Sequence, residues 1–175
     1  MALENIHLLI GNIIDSNHDV IVNAANPIML GGGGVDGVIH KAAGRSLFEA
    51  CKKIKLINGV RCPTGEARIT SAGELNAKFV IHTVGPRFNI DLNPEKLLIS
   101  AYQKSLDLAL KYNNKSISFP AISCGVYGYP VSEAAHIALL ECSDVKYNKL
   151  DIYFYLFSNR DYAEWNKVYS MLSKS

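Results

Sequence analysis

The chain has 175 residues, 49% of them hydrophobic and 19% charged, with a formal charge of +2. That suits a single globular domain over residues 1–175, and the near balance of charge gives no electrostatic argument for a nucleic-acid partner. No apolar run is long enough to span a membrane, and MALENIHLLIG lacks the basic start and long apolar stretch of a secretory signal, so a cytoplasmic protein is expected.

Strand patterns, rich in β-branched or aromatic residues, open the chain at Ile6–Ile10 and Val20–Asn23. Helical patterns follow at Val35–Ala43 and Ser46–Ile54, then strands at Ala67–Ser71 and Phe79–Val84. A helix is predicted over Pro94–Tyr112, with Asn93 as its cap and Pro94 at the first helical position. A strand at Ser116–Ala121 leads to a helix at Ser132–Cys142, with Ser132 as its expected cap. The chain closes with a strand at Asp151–Phe157 and a helix at Asp161–Leu172, which puts Tyr162, Trp165, Val168, Tyr169 and Leu172 on one face.

Strands alternating with helices imply an α/β fold, with a parallel or mixed sheet covered on both sides. Ligands of such sheets bind outside the carboxyl ends of the strands. Three suspicious segments fall there: Asn23–Asp36, Ser123–Pro130 and Phe157–Arg160.

The first holds four consecutive glycines, Gly31 to Gly34, directly before a helix. Such a bare backbone costs chain entropy and packs nothing, but it lets an anion approach the N–H groups at a helix start. Gly32-x-Gly34-x-x-Gly37 formally satisfies a dinucleotide fingerprint. It lies too far from the preceding strand, however, and no acidic residue ends the next strand. A Walker-type loop fails for want of a following Gly-Lys-Ser/Thr. A phosphate loop of another kind remains.

Asp36, in the first turn of that helix, suits capping and catalysis equally well. His40, one turn on, is either its partner or a structural histidine. Asn23 and Asn26 flank two alanines, and one can hold the turn while the other offers an amide to a sugar hydroxyl. The loop Ser123-Cys124-Gly125-Val126-Tyr127 combines small residues with an aromatic, which suits a phosphate and ribose wall. Cys124 reads as a small filler, and Phe157 suits either core packing or stacking on a base. The four cysteines form no CxxC pair or Cys/His motif, so reduced thiols are expected and no metal.

Val22–Gly44, CPTGEARIT (Cys62–Thr70), VIHTVGP (Val80–Pro86) and SFPAISCGVYGYP (Ser118–Pro130) together resemble the macro domain family. Within it they resemble the MacroD-type ADP-ribosylhydrolases and O-acetyl-ADP-ribose deacetylases. The resemblance runs through nearly the whole chain, and GGGGVDG with Ile39-His40 just beyond it is its hydrolytic signature. It implies a three-layer α/β/α sandwich with a central mixed sheet, and ADP-ribose in a cleft at the strand ends. By the same resemblance, Asp36, Asn26 and His40 would be catalytic, with Asn26 and Tyr127 at the distal ribose. Gly31, Gly32, Gly33, Gly34 and Val35 would close over the pyrophosphate from one side. Ser123, Cys124, Gly125, Val126 and Tyr127 would close from the other, and Phe157 would pack against adenine.

The partners implied are ADP-ribose, its esters and ADP-ribosylated proteins, with no cofactor. The alternatives are a binding-only reader of ADP-ribose and an RNA-interacting regulator. The chain departs from the family at Gly11-Asn12-Ile13, where Gly-Asp-Ile is usual. Asn12 and Ile13 would meet the adenine, and a neutral amide predicts a looser choice of base than a carboxylate. Cys124 stands where the family usually has Thr, a change expected to alter loop packing more than chemistry.

Overall fold

A computed structural model describes residues 2–175. Six strands, β1 (Ile6–Ile10), β2 (Val20–Ala24), β3 (Ala67–Ser71), β4 (Phe79–Thr83), β5 (Ser116–Phe119) and β6 (Asp151–Leu156), form one sheet. Five helices lie between and after them: α1 (Gly34–Ala43), α2 (Arg45–Lys52), α3 (Pro94–Lys111), α4 (Val131–Cys142) and α5 (Asn159–Ser173). The strand order is β1-β6-β5-β2-β4-β3, parallel throughout except for β3, which runs antiparallel to β4. The sheet is therefore mixed.

Period-two alternation sends neighbouring residues of one strand to opposite faces, and both faces are covered. Val20 and Val22 of β2 and Ile81 of β4 join a core with Leu98, Tyr102 and Leu106 of α3, Ala135 and Leu139 of α4, and Trp165 of α5. Ile21 and Val80 turn the other way, against Ile39 and Ala43 of α1 and Leu47 and Cys51 of α2. Each Val, Leu or Ile side chain so enclosed contributes about 1.5–3 kcal/mol relative to exposure. The result is a three-layer α/β/α sandwich. The apolar face read on the last helix is real: Trp165, Val168 and Leu172 are buried, with Tyr162 and Tyr169 packed beside them.

Two caps differ from expectation. Asn93 does precede α3, but its backbone is left-handed (φ 53°, ψ 55°) and its side chain makes no capping bond. The helix start rests on Pro94 instead. Helix α4 begins at Val131 after Pro130, so Ser132 lies inside the first turn and caps nothing. A cap absent from the sequence reading is Ser158, whose Oγ accepts from the N–H of Asp161 at 3.1 Å to start α5.

Candidate functional site

β2, β5 and β6 are neighbours in the sheet and run parallel, so their carboxyl ends open side by side. The segments that follow them enclose a cleft of about 570 Å³. From the β2 side come Asn26, Gly32, Gly33, Gly34, Val35 and Asp36; from the β5 side come Ser123, Cys124, Gly125, Val126 and Tyr127; from β6 onward come Tyr155, Phe157 and Asp161. Residues a hundred positions apart meet because of strand order, not sequence spacing.

The cleft lining includes no Lys or Arg, and its only charged side chains are Asp36 and Asp161. Affinity for an anion must therefore come from the backbone. Helix α1 starts at Gly34, and the N–H groups of its first turn have no carbonyl one turn back to bond. In the facing loop, backbone bonds among the described residues use the N–H of Cys124, Gly128 and Tyr129 but not those of Gly125, Val126 or Tyr127. Two sets of free donors thus line the cleft. A Cβ on Gly37 would lie 2.5 Å from the carbonyl oxygen of Gly32, so the glycine loop folds back over its own helix only because position 37 is bare. Opposite, Ser123 has a positive φ (66°), and the hairpin bond from Tyr129 N–H to Ser123 O at 2.9 Å closes this second loop.

Asp36 is 4% exposed. Its Oδ1 accepts from Asn23 Nδ2 at 2.7 Å, while its Oδ2 is buried without a protein partner among the described residues. His40 Nε2 lies 3.4 Å from Oδ1, but without hydrogen-bond geometry. Burial pushes the carboxyl above its ordinary range, against the opposing pull of the Asn23 bond and of His40. A carboxylate with one oxygen fixed, the other unpartnered and a raised pKa is poised to take a proton or hold a hydroxyl.

The two asparagines divide their work. Asn26 lines the cleft but also holds the turn: its Oδ1 accepts from Met29 N–H at 3.1 Å and its Nδ2 donates to the Gly31 carbonyl at 3.0 Å. Asn23 is fully buried, and its Nδ2 donates to Asp36 Oδ1. That link was not visible in the spacing.

Phe157 is 65% exposed, past the end of β6, so the core reading of it does not hold. Burial pushes the Cys124 thiol up to about 12, which fits a filler residue and not a nucleophile. Gly31, His40, Asn12 and Ile13 are not among the cleft-lining residues. Gly31 lies behind the loop against His40: a Cβ there would sit 3.8 Å from the ring. Ile13 is 2% exposed with its side chain in the core, and Asn12 Oδ1 accepts from Ile14 N–H at 3.2 Å, capping a short 3₁₀ turn at Ile13–Asp15. Gly11, beside them, packs near Tyr155, which does line the cleft.

The sequence carries no Cys/His motif, yet three elements bring His40, Cys51 and His82 together, with ligand atoms within 4.8 Å of one another. His82 is already engaged there at both nitrogens, with Asn23 Nδ2 at 3.2 Å and Thr70 Oγ1 at 2.9 Å. Within the cluster His82 and Cys51 are hydrogen-bonded in the core, while His40 Nε2 has no hydrogen-bond partner among the described residues.

The fold, the glycine loop over a helix start and the buried acid beneath it define a class, and comparison with known proteins agrees. The macro domain family model matches residues 22–138, and the chain belongs to that family. A macro domain-containing protein of Vibrio parahaemolyticus is 54% identical over 91% of this chain and 94% of its own length. A protein of Escherichia fergusonii named O-acetyl-ADP-ribose deacetylase is 49% identical over 93% of this chain and 94% of its own. Among solved structures, the Oceanobacillus iheyensis macrodomain with ADP superposes with a TM-score of 0.90 at 44% identity, covering 95% of this chain and 90% of that one. The Trypanosoma brucei macrodomain in complex with ADP-ribose gives 0.82 at 40% identity, covering 94% and 69%. Among the described residues, no helix is long and apolar enough to cross a membrane.

Proposed function

We propose that this protein binds ADP-ribose in the cleft and hydrolyses esters of its distal ribose, releasing ADP-ribose from modified Asp or Glu side chains, from O-acetyl-ADP-ribose, or from both. The observation that carries the reading is Asp36: a buried carboxylate beside the glycine loop, with Oδ1 held by Asn23 and Oδ2 unpartnered at the cleft. The names of the relatives support the substrate class. A binding-only module has no need of a buried acid whose desolvation is left half compensated.

In this reading the pyrophosphate lies between the N–H groups of Gly32–Val35 and those of Gly125–Tyr127. Binding energy from this remote part of the substrate fixes the ester beside Asp36. Asp36 Oδ2 holds the attacking water or the ribose hydroxyl, and its raised pKa brings it closer to the proton it handles. Asn26 and Tyr127 flank the distal ribose. His40 backs Asp36, and Phe157 stacks on adenine. The cytoplasm, where the four free cysteines stay reduced, belongs to the same proposal. The test is release of ADP-ribose from a protein automodified on Asp and Glu, and from O-acetyl-ADP-ribose. Tight ADP-ribose binding without release of either product would leave a reader module.

A further inference from the structure

We propose that Thr70 and His82 are positioning residues that fix the direction of the Asn23 amide and, through it, present Asp36 as an ionised carboxylate. The proposal rests on the reading of Asp36 as the reacting group.

Asn23 and His82 are register partners on the parallel strands β2 and β4, and Thr70 lies diagonally across on β3, two residues from Arg68, the register partner of His82. All three side chains are buried at 8% exposure or less. The amide nitrogen of Asn23 has two hydrogens and two neighbours, Asp36 Oδ1 at 2.7 Å and His82 Nδ1 at 3.2 Å. An amide nitrogen only donates, so Nδ1 of His82 accepts and has no proton. Burial holds the imidazole pKa down to about 3, so the ring is neutral and its single proton sits on Nε2. That proton points at Thr70 Oγ1, 2.9 Å away, and Thr70 sends its own hydroxyl proton to the Ser71 carbonyl at 3.0 Å. The directions are then set: Ser71 carbonyl, Thr70, His82, Asn23, Asp36.

The opposite setting is chemically coherent and would alter the site. With a proton on His82 Nδ1, the Asn23 amide would turn its oxygen inward. That oxygen would also face Asp36, which would then keep its own proton. Thr70 decides between the two settings, because the wild-type one alone lets its hydroxyl keep the bond to Ser71. The other ionisable groups packed around this chain include His40 from α1, Cys51 from α2, whose Sγ lies 3.7 Å from His82 Nε2, Arg61, which acts on Cys51, Cys62, whose thiol donates to the His82 carbonyl at 3.8 Å, and Arg68 of β3, the register partner of His82. They are the same in every variant below.

Thr70→Val keeps the shape and removes the acceptor; Thr70→Ser keeps the hydroxyl. For Thr70→Val, the acid limb of kcat/KM for ester hydrolysis is expected to move up by about one pH unit. In addition kcat should fall more than KM changes, and Thr70→Ser should restore the wild-type limb. Loss of packing alone would lower thermal stability without moving the limb. Nitrogen-15 NMR of the ligand-free protein reads the same lock without turnover. His82 should carry its proton on Nε2 in wild type and Thr70→Ser, and at least partly on Nδ1 in Thr70→Val. An unchanged tautomer in Thr70→Val, or an acid limb that moves equally in Thr70→Ser, overturns the proposal. Absence of turnover in wild type would instead overturn the ester-hydrolase reading, and the NMR result would still decide the lock.

Discussion

Asn23 donates to Asp36 Oδ1 at 2.7 Å across thirteen residues of chain, and Asp36 Oδ2 has no protein partner among the described residues. The two oxygens of one carboxylate therefore have different tasks. One bond anchors the group and favours its charge, while burial pushes its pKa the other way. The unpartnered oxygen faces Gly32, where a Cβ would come within 3.0 Å of it, so the glycine leaves room beside that oxygen.

The glycine loop depends on position 37 more than on its own middle. A Cβ on Gly37 would lie 2.5 Å from the Gly32 carbonyl, whereas one on Gly33 meets nothing within 4 Å. Gly37→Ala is expected to cost about 1–3 kcal/mol of stability and to weaken ADP-ribose binding as the loop moves. Gly33→Ala is expected to leave the melting temperature unchanged. Calorimetric titration beside thermal melts checks both; equal melting temperatures for Gly37→Ala and wild type would refute the close approach.

Phe157 is mostly exposed, so truncating it leaves the core intact. Phe157→Ala is expected to lower ADP-ribose affinity by about 1–3 kcal/mol through lost stacking, with no change in melting temperature. Ribose 5-phosphate, which lacks the base, should bind both proteins alike. Unchanged ADP-ribose affinity would remove Phe157 from the site.

Much of this was legible in the sequence, and the misses share a cause. Element positions follow from local pattern, and α1 to α5 and β1 to β6 lie within a few residues of the expected bounds. The cleft residues after β2, β5 and β6 were legible because carboxyl ends of parallel strands gather ligands. Cap chemistry at Asn93 and Ser132 differs from expectation because the backbone conformation of Asn93 and the start of α4 at Val131, not residue type, decide whether an oxygen can reach an N–H. The Thr70–His82–Asn23–Asp36 chain was invisible because its members sit on three strands and a helix, brought together only by sheet order.

Asn12 lies outside the cleft lining, and it would bear on the choice of base only through the adenine contact that the family resemblance implies. Its Oδ1 is already committed to Ile14 N–H at 3.2 Å, which leaves chiefly its NH2 to offer an incoming ligand. Inosine diphosphate ribose, with a carbonyl in place of the amino group, should therefore compete well with ADP-ribose. Asn12→Asp is expected to shift the preference toward adenine. Affinities of both nucleotides for both proteins give the comparison, and a large adenine preference in wild type would refute the expectation.

His82 gives the fold an acid-side weakness. Its imidazole holds a pKa of about 3 in the native state against an ordinary value of 6.5, so the unfolded chain takes up a proton that the native state refuses. Its contribution to stability is complete above pH 6.5 and is lost as pH falls toward 3, by more than about 1 kcal/mol per pH unit midway. His82→Gln should start less stable at pH 7.5 but lose less on acidification. Denaturation midpoints between pH 7.5 and 4.5 test this. Parallel losses in the two proteins would mean another group carries the dependence.

The most direct test of the central claim is release of ADP-ribose from an Asp/Glu-automodified protein by wild type beside Asp36→Ala, with ADP-ribose affinity measured on both. The expected result is release by wild type, at least a hundredfold slower release by Asp36→Ala, and affinities within a few-fold of each other. Full activity in Asp36→Ala would contradict the account.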